Sequence, residues 1–506
     1  MKLLSVKSFG LKSFDLKSFG VKSLAISRIT LSLAGAAMVF GLSHCATTPP
    51  QTPPAVALPG GWANQQPAPS PGSAHVASAP ELRLWWRAFA DPVLDDLIER
   101  ALRGNLDVQQ AALRIQAARA LARESRAEFL PTLSARTYST PNPDSTRSFF
   151  QAGFDATWEL GLFGRAQNRA RAATASIGLA EVDAQAARVS VVAEVVRAYL
   201  QLRTEQTRRT LLLEVSDAQR SKLRLMQVRR RLQLISDLEM GNAQIEQVAA
   251  DAASAEPLLG IEQSRRQLAI LVGDSRLADN GPDAALTSTG SFPALQTTSI
   301  AGLPADLLRT RPEIRRAEQT VLKAAADLGI AKADLYPRLS LGGLLIASAP
   351  LAGVSFGTAH STTAIGPVID IPLFDWGARR AVVSARDAEL RATELAYQAA
   401  VLTGVSEVEI ALATLKLRRI QVDAARASAQ ALQHADELTQ TLQKQQLADD
   451  LDRNAIRMKS LHAQVELLQA RQAQNLTYVA LYKALGGAPQ PSDDAAPAIT
   501  ANPSPP

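Results

Sequence analysis

The chain has a single cysteine, Cys45, in 506 residues, with only five histidines and five methionines. One thiol rules out a CxxC site. The histidines His44, His75, His360, His434 and His462 include no pair with metal-ligand spacing such as HExxH. No Walker loop and no GxSxG elbow occurs. The scattered methionines mark no path for a soft metal ion. Acidic residues abound, but on charged helix faces, so no catalytic constellation emerges and the reading is not an enzyme. Long hydrophobic runs are missing as well: beyond Cys45 no 18 uncharged apolar residues stand in a row, so no transmembrane helix is expected. Excess charge is also missing from most of the chain. The formal charge is +6, but Lys2, Lys7, Lys12, Lys17, Lys22 and Arg28 precede Cys45 against one acid, Asp15. The remainder is near neutral, at about +1, and leaves no footprint for a nucleic acid.

What is present begins with a leader. VKSFG, LKSFD, LKSFG and VKSLA (6–25) are tandem copies of one basic unit, and ITLSLAGAAMVFGL (29–42) follows without a charge. A basic stretch before an apolar core too short to span a bilayer reads as an export signal. With GLSHC (41–45) at its end, it resembles a bacterial lipoprotein signal, in which the cysteine becomes the lipidated first residue. Leu42 and Ser43 fit that pattern, and His44 stands where it takes a small residue. The expected layout is a signal peptide at 1–44, a Pro/Ala-rich tether at 45–83, and a disordered tail at 488–506. Cys45 is the expected lipid attachment site; no other cofactor is expected.

The body between is rich in Ala, Leu, Gln, Arg and Glu, a helix-forming composition. Gly164 to Leu232 and Gly377 to Lys444 are long stretches nearly free of Pro and Gly. Each could run roughly 100 Å as one helix. The body also repeats. NLDVQQA (105–111) matches RPEIRRA (311–317), and EFLPTLS (128–134) matches DLYPRLS (334–340) with Pro131 on Pro337. WELGLFG (158–164) matches DIPLFDW (370–376), setting Phe163 on Phe374, and QLISDLE (233–239) matches QLADDLD (446–452). Four matches in order argue for internal duplication, with repeats at 84–302 and 303–487.

Each repeat reads as helix, strand-like hairpin, very long helix, acidic turn and helix. From Phe150 to Leu160 the residues alternate strictly: Phe150, Ala152, Phe154, Ala156, Trp158 and Leu160 share one face. That length suits a tilted membrane strand. LSLGGLLIAS and TTAIGPVIDIPLF repeat the arrangement in the second half. Four strands cannot close a barrel, and lipid tolerates no open edge, so membrane strands here require several copies of the chain.

These features together resemble the TolC-like outer-membrane efflux proteins, in the lipoprotein branch that includes NodT. The marks are LWWRAFADPVLDDLIERAL (84–102), TWELGLFGR (157–165), GLPADLLRTRPEIRRAE (302–318), ADLYPRLSL (333–341), GPVIDIPLFDWGARRA (366–381) and LYKALGG (481–487). The resemblance implies a mainly α protein with a transmembrane β-barrel. Three chains of four strands would complete a twelve-stranded barrel, continued by a coiled α-helical barrel through the periplasm. It implies a homotrimer in the outer membrane, a periplasmic adaptor and an inner-membrane transporter as partners, and a role as the exit duct of the pump. It implies closure at the periplasmic tip, where Asp449, Asp450 and Asp237 are the expected constriction and Arg229, Arg230, Arg231, Gln233 and Gln446 the expected adaptor contacts. Family members carry Gly in these turns; Gln233 and Gln446 stand in its place, at a strain of roughly 1 kcal/mol each or with a different turn. Acids at helix N-termini and basic runs also occur as plain solvated faces. Two other readings stay open: the same duct serving protein secretion or metal-ion export, and a coiled-coil scaffold without a channel.

Overall fold

The computed structural model describes residues 61–64, 83–140, 149–278, 286, 290, 292–295, 311–352, 355–356 and 358–487. The leader, Cys45, residues 302–310 of the most specific motif, and the tail lie outside the described residues. In chain order the elements are α1 (Pro92–Gly104), α2 (Leu106–Ala127), β1 (Thr132–Thr140), β2 (Phe149–Glu159), α3 (Arg165–Arg231), α4 (Asp237–Ala255) and α5 (Pro257–Val272). The second half continues with α6 (Pro312–Ala333), β3 (Arg338–Ala352), β4 (Ser355–Phe356), β5 (His360–Asp370), α7 (Ala378–Lys444) and α8 (Asp450–Ala484). No helix among the described residues is long and apolar enough to cross a membrane.

The duplication is visible residue by residue. Helices α2 and α6 are both 22 residues long, α3 and α7 both 67, and β2 and β5 both 11. The long helices begin alike. Phe163 and Trp376 hold positive φ angles of 54° and 55°, followed by Gly164 and Gly377 at 81° and 83°. The sequence pairs Phe163 with Phe374; the backbone pairs it with Trp376 instead. The extra residues of the second repeat fall between the end of β5 and this turn, upstream of the helix. Pro257 breaks the last helix of the first repeat into α4 and α5, since proline cannot sit inside a helix without losing a hydrogen bond. The second repeat has no such break, and α8 runs through.

The strands form one antiparallel sheet in the order β1-β2-β3-β5, with the two-residue β4 pairing with the end of β3 as a short fifth strand that the sequence pattern does not signal. The central pairing, β2 with β3, joins the two repeats, from Phe149 opposite Pro350 to Glu159 opposite Ser340. Cross-strand partners share a face, so Leu133, Phe154, Trp158, Leu345, Leu341, Ile365 and Ile369 form one apolar surface. All of them are solvent-exposed in the single chain. Arg136, Gln151, Asp155, Glu159 and Asp370 lie on the opposite face. Apolar on one side and polar on the other is the pattern of a membrane barrel wall. Among the described residues, β1 and β5 each keep one unpaired edge.

The main core lies where residues 62, 85–89 and 478–485 meet the middle of the long helices. Trp85 stacks on Tyr482 with ring centroids 5.5 Å apart, and its Nε1–H donates to Gly487 O at 3.1 Å. Tyr199 in α3 donates to Asp91, the N-cap of α1, at 2.6 Å, and accepts from Arg203 Nε at 3.0 Å. Part of the expected tether joins this core. Trp62 is only 5% exposed, and Glu409 of α7 accepts from the backbone N–H groups of Ala63 and Asn64 at 2.6 and 3.1 Å.

Burial differs sharply between the repeats. Helix α3 buries 21 residues and its repeat mate α7 only 8. Helix α3 packs against α1, α2, α4 and α5 of its own repeat and against α6 and α8 of the other; among the described helices α7 packs mainly against α6 and α8. Gly153 sits at the joint between the repeats: a Cβ there would lie 2.2 Å from Leu345 O and 2.8 Å from Ile346 Cα. We expect Gly153→Ala to cost about 1–3 kcal/mol and lower the thermal midpoint followed by circular dichroism. Gly241→Ala, on a helix with nothing within 4 Å of the new methyl, should instead stabilise the fold by about 0.5–1 kcal/mol and raise the midpoint.

Candidate functional site

The two acidic turns come together at one end of the long helices. Each ends its helix in a Schellman motif. Leu234 N–H donates to Arg229 O at 2.9 Å and Gln233 N–H to Arg230 O at 3.0 Å. Leu447 N–H donates to Leu442 O at 2.9 Å and Gln446 N–H to Gln443 O at 2.9 Å. Gln233 and Gln446 take the left-handed position, at φ of 57° and 63°. Glutamine therefore does not force a different turn: the residue type changes and the backbone conformation stays. Four satisfied helix-end hydrogen bonds outweigh about 1 kcal/mol of strain at each glutamine.

The helices after the turns start on strong caps. Ser236 and Glu239 form a capping box: Glu239 N–H donates to Ser236 Oγ at 3.2 Å, and Ser236 N–H donates to Glu239 Oε2 at 2.7 Å. The S-x-x-E spacing announces it in the sequence. Asp449 caps α8, accepting from Leu451 N–H at 3.4 Å. Its other oxygen accepts from Arg229 at the end of α3, a clasp between the repeats across 220 residues of sequence. Asp237 pairs with Arg230, Nε to Oδ1 at 2.7 Å. At the equivalent place in the second repeat, Gln443 donates to Asp450, and Gln443 Oε1 accepts from Arg453 at 2.8 Å. Arg231 is exposed and, among the described residues, has no ion pair. Gln443, Arg453 and Glu239 were not singled out by the sequence. Only Glu239 carried a local signal; the other two act through contacts that periodicity does not encode.

Chemically the turns hold five carboxylates per chain, Asp237, Glu239, Asp449, Asp450 and Asp452, and the three expected at the constriction are in different electrostatic states. Asp449 and Asp237 each face an arginine. Asp450 is bonded to the neutral amide of Gln443, which in turn accepts from Arg453, so among the described residues it has no direct ion pair. No group of three or more His, Cys, Asp or Glu arranged to hold a metal ion occurs among the described residues. The Ser236 backbone and hydroxyl hold the Glu239 carboxyl below its usual range. A depressed folded-state value stabilises the cap at neutral pH, and that contribution disappears as pH falls through the carboxylate range. A nitroxide attached through Leu238→Cys should therefore gain mobility on acidification to about pH 3. In Glu239→Ala, which has no group to accept from Ser236 N–H, the label should be mobile already at pH 7 and change little with pH.

Comparison with known proteins bears on the whole of this architecture. The outer membrane efflux protein family model matches residues 97–274 and 303–487, one segment per repeat. The pyoverdine export outer membrane protein OpmQ of Pseudomonas aeruginosa is 30% identical over 484 residues, covering 90% of this chain and 96% of that one. Nodulation protein T of Rhizobium leguminosarum bv. viciae is 28% identical over 403 residues, covering 76% and 78%. Among solved structures, the outer-membrane channel OprN superposes with a TM-score of 0.71 at 29% identity, covering 87% of this chain and 99% of that one. With both repeats matched by the family model and the channel architecture reproduced across the chain, this protein belongs to the outer membrane efflux protein family.

Proposed function

We propose that the protein is the exit duct of a tripartite pump, passively conducting small molecules from a periplasmic transporter complex to the cell exterior. The observation that carries this reading is the sheet. It has an apolar outer face, a polar inner face and two unpaired edges, and it stands on two helices of 67 residues each. Unpaired edges are not sustained in hydrocarbon, so the sheet must close with other copies. Three copies supply twelve long strands, within the range of membrane barrels. The long helices, roughly 100 Å each, then carry the duct into the periplasm. Cys45 supplies a lipid anchor in this reading. An inner-membrane transporter and a periplasmic adaptor supply energy and coupling, and no cofactor or chemical step enters.

The tip is the proposed gate. Three copies place Asp449, Asp450 and Asp237 in rings at the mouth. Arg229 offsets Asp449 and Arg230 offsets Asp237, which leaves Asp450 as the one of the three without a direct ion pair; rings of carboxylates favour cations. Arg229, Arg230, Arg231, Gln233 and Gln446 lie on or beside the turns that an adaptor would meet. Arg231 is the cation most available to an acidic adaptor surface. Adaptor contact opens the mouth by drawing Arg229 away from Asp449, which spreads the helix ends.

Planar-bilayer recordings of the purified protein test this. Wild type should show a small, cation-preferring conductance. Asp450→Ala should weaken the cation preference, and Arg229→Ala or Asp449→Ala should raise the conductance by releasing the clasp. Conductance unchanged in all three would move the gate elsewhere along the duct. No conductance in any of them, from a protein extracted as a soluble rod, would leave the scaffold reading in place of the duct.

A further inference from the structure

Near the start of α3 and the end of α6, these two helices enclose a cavity of about 360 Å³. We propose that this cavity binds a small organic anion, a carboxylate or sulfonate carried on a body of one or two rings. The site is separate from the tip and does not depend on what the duct carries.

The cavity exists because two glycines fix the spacing of the helices and the residues between them are short. A Cβ on Gly329 of α6 would lie 2.4 Å from Asn168 Nδ2, and one on Gly178 of α3 would lie 2.4 Å from Gln319 Oε1. Each helix therefore lays an amide side chain across a bare glycine of the other. The two crossings are about 15 Å apart along α3. Between them Ala170, Ala175, Ala325 and Ala326 are too short to fill the gap. Asn168, only 4% exposed, forms the floor with Ala175, Ala325 and Ala326, while Gln167 and Thr174 are exposed at the rim.

The duplication shows that the shared framework does not require this arrangement. The repeat mates of Asn168, Gly178, Gln319 and Gly329 are Ala381, Arg391, Leu113 and Arg123, with neither a glycine nor an amide among them. Helices α3 and α6 are also the inner pair of the row α2, α3, α6 and α7, so the cavity stays clear of the row's ends.

The lining selects by charge. It holds one cation, Arg171, three amides, Gln167, Asn168 and Gln319, and no carboxylate. Arg171 is half-buried and donates through Nη1 to Asn168 Oδ1 at 3.3 Å; among the described residues it has no ion pair. The arginines on either side of it are already neutralised, Arg165 by Glu159 and Asp334, Arg169 by Glu128. A guanidinium held in place without a carboxylate of its own can take one from a ligand, because its planar fork bonds both oxygens at once. Leu322 and the alanines supply the apolar remainder. An apolar cavity of about 150 Å³ holds one benzene, so the volume here suits a body of one or two rings.

Fluorine NMR of para-fluorobenzoate with the full-length protein in lipid nanodiscs tests the site. The ligand resonance should broaden at millimolar concentration with wild type. Arg171→Gln should weaken binding about ten-fold, and the uncharged para-fluorobenzamide should bind wild type about ten-fold more weakly than the carboxylate. Ala326→Phe, which fills the floor, should remove the broadening. Thr174→Trp, which covers the rim from an exposed position, should do the same and carries the test if Ala326→Phe fails to fold. Arg169→Gln should leave binding unchanged, since Arg169 is turned to Glu128. No broadening with wild type, or broadening that persists in Thr174→Trp, overturns the site. Equal binding of benzoate and benzamide, or no loss in Arg171→Gln, overturns the preference for an anion.

Discussion

Hydrocarbon offers no partner to a backbone N–H or C=O. Every large feature of this chain answers that constraint. Its sheet has a lipid-compatible face, but among the described residues its four long strands leave two rows of backbone groups without partners. The sheet is thus stable in a membrane only as part of a larger ring. A chain that must join a ring of its own copies gains from being built of two similar halves, because one packing solution then serves twice. The inner joint, β2 on β3 and α3 on α6 and α8, is that solution seen once in full.

The energetic weight falls on the long helices. Helix α3 buries aliphatic residues along most of its middle third, with Val192, Val195, Val196, Leu200 and Leu202 fully enclosed. At about 1.5–3 kcal/mol for each enclosed aliphatic side chain, this segment is the main apolar anchor of the fold. The aromatic group of Trp85, Phe89, Tyr478 and Tyr482 locks the segment before α1 and the end of α8 onto the same level. The helix ends beyond the core are held by caps and exposed ion pairs, worth about 0.2–1 kcal/mol each. Strength declines from the core toward the tip, which suits a duct that is fixed in its body and opens at its mouth.

The long helices and the duplication were legible in the sequence because both leave regular traces. Gly164 and Gly377 mark the helix starts within one residue, since only the left-handed turn before each helix calls for glycine there. Strand β2 was legible from its strict alternation. The pairing of Phe163 with Trp376 was not, because the aromatic in WELGLFG has two candidates in DIPLFDWG and only the backbone angles separate them. The Arg229 clasp on Asp449 and the seating of Trp62 beside Glu409 join residues hundreds of positions apart; neither has a periodicity to read. The glycine-to-glutamine change at the turns looked disruptive on residue type alone. The Schellman hydrogen bonds explain why the turn persists.

The Arg229 clasp has a further consequence for the mouth. Its repeat equivalents are Leu442 and Ser236, which cannot form an ion pair. Around a ring of copies, ionic fastening therefore alternates with plain apolar and polar contact: each chain's two turns are tied to one another, and neighbouring chains are not tied in the same way. Mechanically such a mouth has as many leaves as there are chains, each leaf a pair of joined turns. The seams between leaves are its compliant lines at rest, and release of the Arg229 clasps is the step that parts the two turns within each leaf and spreads the mouth fully.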